Sequence, residues 1–150
     1  MAYVTTSDLS NRLGATLYAR LTDRVNGSTA DATVAQQIID DAEAQANSYF
    51  ATRFATPLDL TAHPELDEIV KGRVLDLAEY IAWRQSPFVG DLPDRLRFVF
   101  DETIRWFKAV VAGEIDLPAT TPPASATASD DGPRYASDAR TFTHDELDGL

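Results

Sequence analysis

Apolar residues recur every three or four positions in three long stretches of the chain, a spacing that predicts three long amphipathic helices. The first stretch spans Asp31 to Leu58, with Asp31 suited to the N-cap and Pro57 standing where the helix must already have ended. The second runs from about Pro64 to Arg84, and the third from a cap at Asp91 to Gly113. The stripes contain Val34, Ile38, Ala42, Ala46, Tyr49, Phe50 and Phe54 in the first, Leu66, Ile69, Val70, Val74, Leu77, Ala78 and Ile81 in the second, and Leu96, Val99, Phe100, Thr103, Ile104, Phe107, Val110 and Val111 in the third.

Two shorter helical patterns precede these stretches. Thr5–Gly14 offers Thr6 or Ser7 as a cap and Gly14 as an end signal, and Thr16–Arg24 is a second short helix. Asn26-Gly27 follows and is interpreted as a loop, because its flanks do not alternate as hairpin strands do. Helices of about 20 residues, each about 30 Å long, joined by short loops, predict a mainly α fold. We expect an antiparallel helical domain with three long helices plus short N-terminal helices.

The composition changes after Leu117. Residues 118–133 hold four prolines and no large apolar side chain, which predicts an extended Pro/Ala/Thr linker. Aromatic and charged anchors return in residues 134–150, where Thr143 and Glu146 have the spacing of a capping box. We therefore expect a helical domain at 1–117, a linker at 118–133 and an extended C-terminal docking arm at 134–150.

The charge and composition exclude several functional classes. The net charge is −11, and residues 114–150 alone contribute −6, so the chain is unsuited to wrapping nucleic acid, which requires Lys and Arg. With no cysteine, thiolate metal sites and cysteine nucleophiles are excluded. The chain shows neither a secretory signal nor an apolar run long enough to span a membrane. A protein made in the cytoplasm, without membrane contact, is expected.

The chain offers little catalytic chemistry. Its helical carboxylates lack the Glu-x-x-His pairs of di-iron bundles, so a solvated face or subunit contacts are the better interpretation. His63 and His144 lie in a loop and in the arm, with no orienting partner or nucleophile visible. We therefore expect no enzyme activity, no metal and no cofactor. The carboxylates in question are Asp40, Asp41, Glu43, Asp67, Glu68, Asp76 and Glu79.

Three groups of residues are candidates for contacts with partners. Phe88 and Val89 occupy a loop tip, where exposed apolar side chains mark contacts unless they fold back on the core. Basic residues cluster on the third long helix, on a solvated face that pairs with a neighbouring subunit or, alternatively, contacts DNA or an acidic rim. The arm supplies anchors for docking, the alternative being a disordered terminus. The basic cluster is Arg95, Arg97, Arg105 and Lys108, and the anchors are Tyr135, Arg140, Phe142 and Leu147.

Several short segments, in order, resemble the Mu-like phage head–tail adaptor proteins, also described as neck connectors or head-completion proteins. The resemblance is carried by Tyr3 to Leu9, by Ile39, Ala42, Tyr49-Phe50, Arg53-Phe54 and Pro57-Leu58, by Asp76 to Tyr80, by Asp101, Ile104, Trp106, Gly113 and Leu117, and by Arg140 to Phe142 with Asp145 and Leu147. Phe50 and Phe54 replace the more usual Leu and Tyr, and Phe107 replaces a Leu, all changes that conserve packing. The 118–133 linker lies outside the resemblance.

The resemblance implies a structural role in the virion neck, between capsid portal and tail, after assembly in the host cytoplasm. Copies would form a dodecameric ring that docks on the portal protein and extends the DNA channel. The ring would receive a tail-side neck or tail-completion protein, and DNA would pass through without specific binding. Beside the family pattern, Arg53 becomes a candidate structural or interface anchor, with subunit or channel contacts. The alternative function is a small phage-encoded regulator that binds DNA or a host protein.

Overall fold

Within residues 2–117, which the computed structural model describes, the chain is built from α-helices and contains no strand. The mainly α fold is thus confirmed, and the linker and docking arm lie outside the described residues. The helices are α1 Thr6–Leu13, α2 Ala15–Thr22, α3 Ala32–Phe50, α4 Asp67–Gln85, which follows a 3₁₀ turn at Pro64–Leu66, and α5 Asp94–Ala112.

Helix α3 begins as its sequence indicates and ends earlier. The Asp31 carboxylate accepts hydrogen bonds from the backbone N–H groups of Thr33 (2.8 Å) and Val34 (3.2 Å), which is the expected N-cap. The helix stops at Phe50, because the Thr52 hydroxyl donates to the Tyr49 carbonyl (2.7 Å) and the chain turns there. The predicted apolar stripe continues to Phe54, so the helix ends earlier than predicted, although Pro57 does lie beyond its end. Phe54 is still buried, but from the turn that follows.

Helix α5 also departs from its predicted start. It begins at Asp94 with Pro93 at the N-cap, so the cap predicted at Asp91 was wrong. Proline suits this place because the first helical N–H groups have no partner inside the helix. The other end agrees with prediction: Gly113 terminates the helix with φ 80°, a left-handed conformation that favours glycine.

The three long helices run up, down and up. Along α4, Arg73 lies over the Trp106 ring (5.6 Å), Asp76 accepts from Thr103 (3.0 Å), and Tyr80 stacks on Phe100 (3.9 Å between centroids). Later positions of α4 thus meet earlier positions of α5, which makes the pair antiparallel. Asp41 of α3 likewise meets Gln85 at the end of α4 (3.3 Å). The predicted antiparallel arrangement of neighbours is confirmed.

Aromatic rings fill the centre where α3 and α5 meet. Phe107 is fully buried, stacks on Tyr49 at 5.3 Å and meets Phe50 edge to face at 5.4 Å. Trp106 closes the cluster at 5.2 Å from Phe107 and 6.3 Å from Phe50. Such edge-to-face and stacked pairs stabilise beyond the area that they bury. One predicted stripe position is an exception: Ile69 is 41% exposed, since it lies about 100° around α4 from the buried Val70.

The N-terminal segment is fastened to α3 by polar contacts. The Tyr3 hydroxyl donates to the Asn47 side chain (2.6 Å) and accepts from the Leu58 N–H (2.7 Å), while its own N–H donates to Glu43 (2.6 Å). Burial of Tyr3 raises the pKa of its hydroxyl, which therefore stays protonated and able to donate.

Helix α1 is fixed at its first turn and then joined to α4. Thr5, rather than the predicted Thr6 or Ser7, is the N-cap and forms a reciprocal capping box with Asp8. Asp8 also pairs with Lys71 of α4 (2.9 Å), and these hydrogen bonds, that from Lys71 first, lower the pKa of Asp8 to about 2. The carboxylate is therefore charged above that pH and holds α1 against α4.

The aromatic cluster generates a stability prediction. Phe107→Ala removes a fully buried ring and leaves a cavity among three aromatic neighbours, so the free energy of unfolding should fall by about 3–5 kcal/mol. Urea unfolding followed by circular dichroism measures the change. Phe98→Ala is the matched control, because Phe98 is on the same helix but 67% exposed, and its effect should stay within about 0.5 kcal/mol. Equal losses in the two variants would contradict a core centred on Phe107.

Candidate interaction surfaces

The predicted contact loop at Phe88 lies between α4 and α5. Phe88 is 38% exposed and rests on Gly27: a Cβ added to that glycine would lie 2.9 Å from the Phe88 ring. Gly27 also has a φ of 65°, so any side chain there would be strained as well as crowded. Val89 turns inward and packs against the core. Each of the two interpretations of this loop therefore describes one residue: Phe88 is partly exposed to solvent, whereas Val89 folds back on the core.

The loop beneath Phe88 is organised by one carboxylate. Asp23 ends α2 and accepts hydrogen bonds from four backbone donors of the following loop, at 2.8–3.1 Å: the N–H groups of Val25, Asn26, Ser28 and Thr29. These donors, Ser28 first, lower the pKa of Asp23 well below its usual value. The loop in turn presents Val25, which is 79% exposed, close in sequence to the glycine that supports Phe88. Val25 was not among the predicted contact residues, although its position beside the Asn26-Gly27 loop signal was visible.

Arg53 makes its contacts within the chain. Its guanidinium donates to the Val110 carbonyl (2.8 Å) and to the Asp116 carboxylate (3.1 Å), and it lies 5.4 Å from the centroid of the Phe54 ring. The positive charge thus sits at the C-terminal end of α5, where the helix dipole favours a cation. Gly113 lies beside this group, and a Cβ there would be in ordinary van der Waals contact with the guanidinium, at 3.4 Å. Of the two roles proposed for Arg53, structural anchor and interface contact, the geometry describes the first.

The outer face of α5 carries most of the predicted basic cluster. Arg95, Arg97, Arg105 and Lys108 are all exposed. Within residues 2–117, Arg95 and Arg97 have no acidic partner, whereas Arg105 pairs with Glu102 one turn earlier. Phe98 lies on the same outward side and is 67% exposed. Sequence reasoning missed Phe98, although it falls about 200° from the buried Leu96 and therefore out of phase with the apolar stripe.

The helical carboxylates that resembled a possible metal site are dispersed. Glu43 receives the N–H groups of Tyr3 and Val4, and Asp76 and Glu79 both pair with Arg12 of α1, Glu79 at 2.8 Å. No group of three or more carboxylate or histidine side chains in the described part of the chain is close enough to hold a metal ion. Asp76 and Glu79 therefore join α4 to α1, and Glu43 binds the N-terminal segment. Asp40, Asp41 and Glu68 instead lie on exposed helix faces. His63 contacts Glu65 at 3.3 Å, and His144 lies outside the described residues.

The predicted site residues consequently fall on separate surfaces. Phe88 marks one loop, and Arg97 and Arg105 share the outer face of α5. Arg95 lies about 200° around the helix from Arg97 and faces α2 and α4, beside Leu17 and Trp83. Arg53 is at the C-terminal end of α5. The arm anchors Tyr135, Arg140, Phe142 and Leu147 lie beyond the described residues. None of the helices in residues 2–117 has the length and apolar character needed to cross a membrane.

The chain is thus a helical protein whose helices are joined by ion pairs and whose surface exposes apolar and basic side chains. Comparison with protein families identifies the class: the model described as "Bacteriophage Mu, Gp36" matches residues 3–134. Because this match covers most of the chain, the protein belongs to the bacteriophage Mu Gp36 family. No curated protein matches the chain. The match includes the 118–133 linker and stops before most of the arm, so the resemblance at Arg140 to Leu147 lies outside the matched segment.

The Arg53 contacts generate a second prediction. Arg53→Met keeps much of the side-chain volume but removes the donors to Val110 and Asp116, and the free energy of unfolding should fall by about 1.5–3 kcal/mol. Chemical denaturation measures the loss. Asp116→Asn is the matched control: Asp116 is 82% exposed at its side chain, so its substitution should change stability by less than about 1 kcal/mol. If Arg53→Met is as stable as the parent, the anchor role fails.

The Asp23 loop generates a prediction of pH dependence. A carboxylate whose pKa is lowered by folding stabilises the protein fully above its unfolded pKa of about 3.9, and this contribution is lost as the pH falls toward the lower folded value. Asp23→Asn should therefore be less stable than the parent at pH 7, and the difference should shrink between pH 4 and pH 2. Unfolding midpoints across this range measure it. Asp91→Asn, at an exposed position, should match the parent at pH 7; a pH-independent gap for Asp23→Asn would contradict the assignment.

Proposed function

We propose that this protein is a ring-forming head–tail adaptor of a tailed phage, a structural virion protein that docks on the portal and connects capsid to tail. The observation that carries the proposal is membership of the phage Mu Gp36 family over residues 3–134. In support, polar side chains at the helix contacts join the helices to each other, while Val25, Phe88 and Phe98 expose apolar side chains. The proposal includes no catalytic step and no cofactor.

The outer face of α5 is the proposed subunit contact. An exposed aromatic ring surrounded by charges has the composition of an interface hot spot, and Phe98 is such a ring. Arg97, without an acidic partner in residues 2–117, provides charge for acids on a neighbouring copy. Since the chain has a net charge of −11, acids are plentiful on such a neighbour. A contact between unlike faces of successive copies closes into a ring when the rotation permits.

The loop end and the arm are the proposed contacts with other virion proteins. Val25 and Phe88 offer two exposed apolar side chains near one end of the helices, suited to the portal or to a tail-side neck protein. The arm, through Tyr135, Arg140, Phe142 and Leu147, binds the portal as a tethered peptide. Repetition of weak contacts around a ring supplies avidity. DNA passes through the ring without specific binding, because an acidic wall repels the phosphate backbone.

The proposal is tested by mixing the full chain with the portal protein of the same phage and imaging the mixture by negative stain. We expect rings on the portal, and deletion of residues 134–150 should weaken portal binding by at least about tenfold. Dispersed protein with no portal complex would exclude the adaptor role. A mobility shift of duplex DNA at low salt would instead favour the regulator alternative.

Two variants compared in the same assay distinguish the outer face of α5 from the loop as the contact between copies. Phe98→Ala should weaken the lateral association of copies by about 30-fold or more, as loss of a hot spot does, while leaving the helical content unchanged. Val25→Ala, at an apolar residue that is 79% exposed but lies on the loop, should preserve lateral association. Normal rings formed by Phe98→Ala would remove the α5 face from the subunit contact.

A further inference from the structure

A groove on the helical domain has features that the adaptor proposal does not use. Two depressions, of about 350 Å³ and about 190 Å³, share Leu17 of α2 as a common wall. The first is lined by the end of α1 and by α2, and the second by α2, α4 and the start of α5. We call this surface the α2–α5 groove; its principal residues are Leu13, Leu17, Arg20, Trp83, Arg95 and Leu96.

The groove has an apolar floor. Leu13, Leu17 and Trp83 are only partly buried by the rest of the chain. Because these side chains are left partly exposed between the helices, the groove suits a ligand that brings an apolar group.

The rim of the groove is positively charged, although the protein as a whole has a net negative charge. Arg20 and Arg95 line the two depressions, and neither has an acidic partner in the described part of the chain. Glu79, the only acid lining either depression among the described residues, pairs with Arg12 at 2.8 Å, an arginine that it shares with Asp76. Residues 2–117 together hold 18 acidic and 11 basic residues, so this rim differs in sign from its surroundings. An acidic ligand is favoured.

The chain itself contains a segment with these properties. Residues 142–148 carry Asp145, Glu146 and Asp148 without a basic residue, together with Phe142 and Leu147. If Thr143 is the N-cap of the capping box with Glu146, then Phe142 and Leu147 occupy the two positions that form a hydrophobic staple. One compact apolar pair flanked by carboxylates would match the floor and rim of the groove.

The intervening chain has a suitable length. The second depression includes Pro93 and Leu96 at the start of α5, whereas Leu117 follows its end, about 28 Å away along a helix of 19 residues. The 24 residues from 118 to 141 have a root-mean-square span of about 25 Å as a coil and reach about 75 Å when extended. Return of the segment to the groove of its own chain is therefore within reach, at a high effective concentration.

We propose that residues 142–148 dock in the α2–α5 groove of their own chain in the free protein. Phe142 and Leu147 contact Leu13, Leu17 and Trp83, and the carboxylates pair with Arg20 and Arg95. Docking covers the apolar anchors of the arm before a partner binds them. The inference concerns the isolated protein and does not depend on the adaptor role, so the two can fail separately.

The absence of cysteine from the chain permits a direct test in the full-length protein by disulfide trapping. Thr16→Cys on the groove combined with His144→Cys should form an intrachain disulfide at least about tenfold faster than Ala44→Cys combined with His144→Cys. Ala44 is exposed on α3 and does not line the groove. Equal rates for the two pairs would overturn the proposal. The same pair of cysteines is also tested in a mixture of isotopically heavy and light chains. If most of the disulfide forms between chains, giving dimers of one heavy and one light chain at the statistical proportion, the proposal is overturned, since the occupant would then be another copy.

Charge variants test the recognition. Arg20→Glu combined with Arg95→Glu should slow trapping at the groove by about tenfold, while Arg97→Glu, on the outer face of α5, should leave the rate unchanged. Raising the salt concentration from about 0.05 to 0.5 M should slow it in the parent pair, through screening of exposed charges. Circular dichroism verifies the fold of each variant. If neither charge reversal nor salt changes the rate, the assigned carboxylate–arginine pairing is wrong.

Discussion

Phe50 and Phe107 meet edge to face with their centroids 5.4 Å apart, and both rings are almost completely buried. This contact joins α3 to α5, and other features take their positions from it. The turn after Phe50 brings Arg53 to the C-terminal end of α5, while Tyr3 packs on Phe50 from the other side at 6.5 Å. The apolar contact sets the place of each helix, and the polar contacts then become possible because their partners are already near.

The charged residues of this protein fall into two groups: some bind another part of the chain, and others are exposed without an acidic partner in the described residues. Asp8, Glu43, Asp76 and Glu79 all bind groups on another part of the chain, so they join helices. The arginines at 20, 95 and 97 have no such partners within residues 2–117 and remain available to ligands. The division explains how a strongly acidic chain presents local positive patches, which suit contacts with acidic protein segments better than contacts with nucleic acid.

The sequence predicted the existence of the long helices better than the residues at which they end. It also predicted the buried apolar residues better than the exposed ones. Asp31 and Gly113 were recognised as terminators because capping depends on the residue itself. The end of α3 at Phe50 and the start of α5 at Asp94 were missed, since both depend on local competition for backbone groups. Among the candidate contact residues, Phe88 was predicted from its loop, whereas Val25 and Phe98 were recognised only from their exposure.

By itself the sequence determined that the chain is mainly helical, which side of each long helix is apolar, and that cysteine chemistry is absent. These follow from side-chain type and a period of 3.6 residues, which are local properties. Only the tertiary structure decided that Arg53 binds Val110, 57 residues away, that Glu43 holds the N-terminal segment, and that Leu17, Trp83 and Arg95 share one groove. A period fixes the buried face of a helix, but the partner of that face depends on how the helices cross.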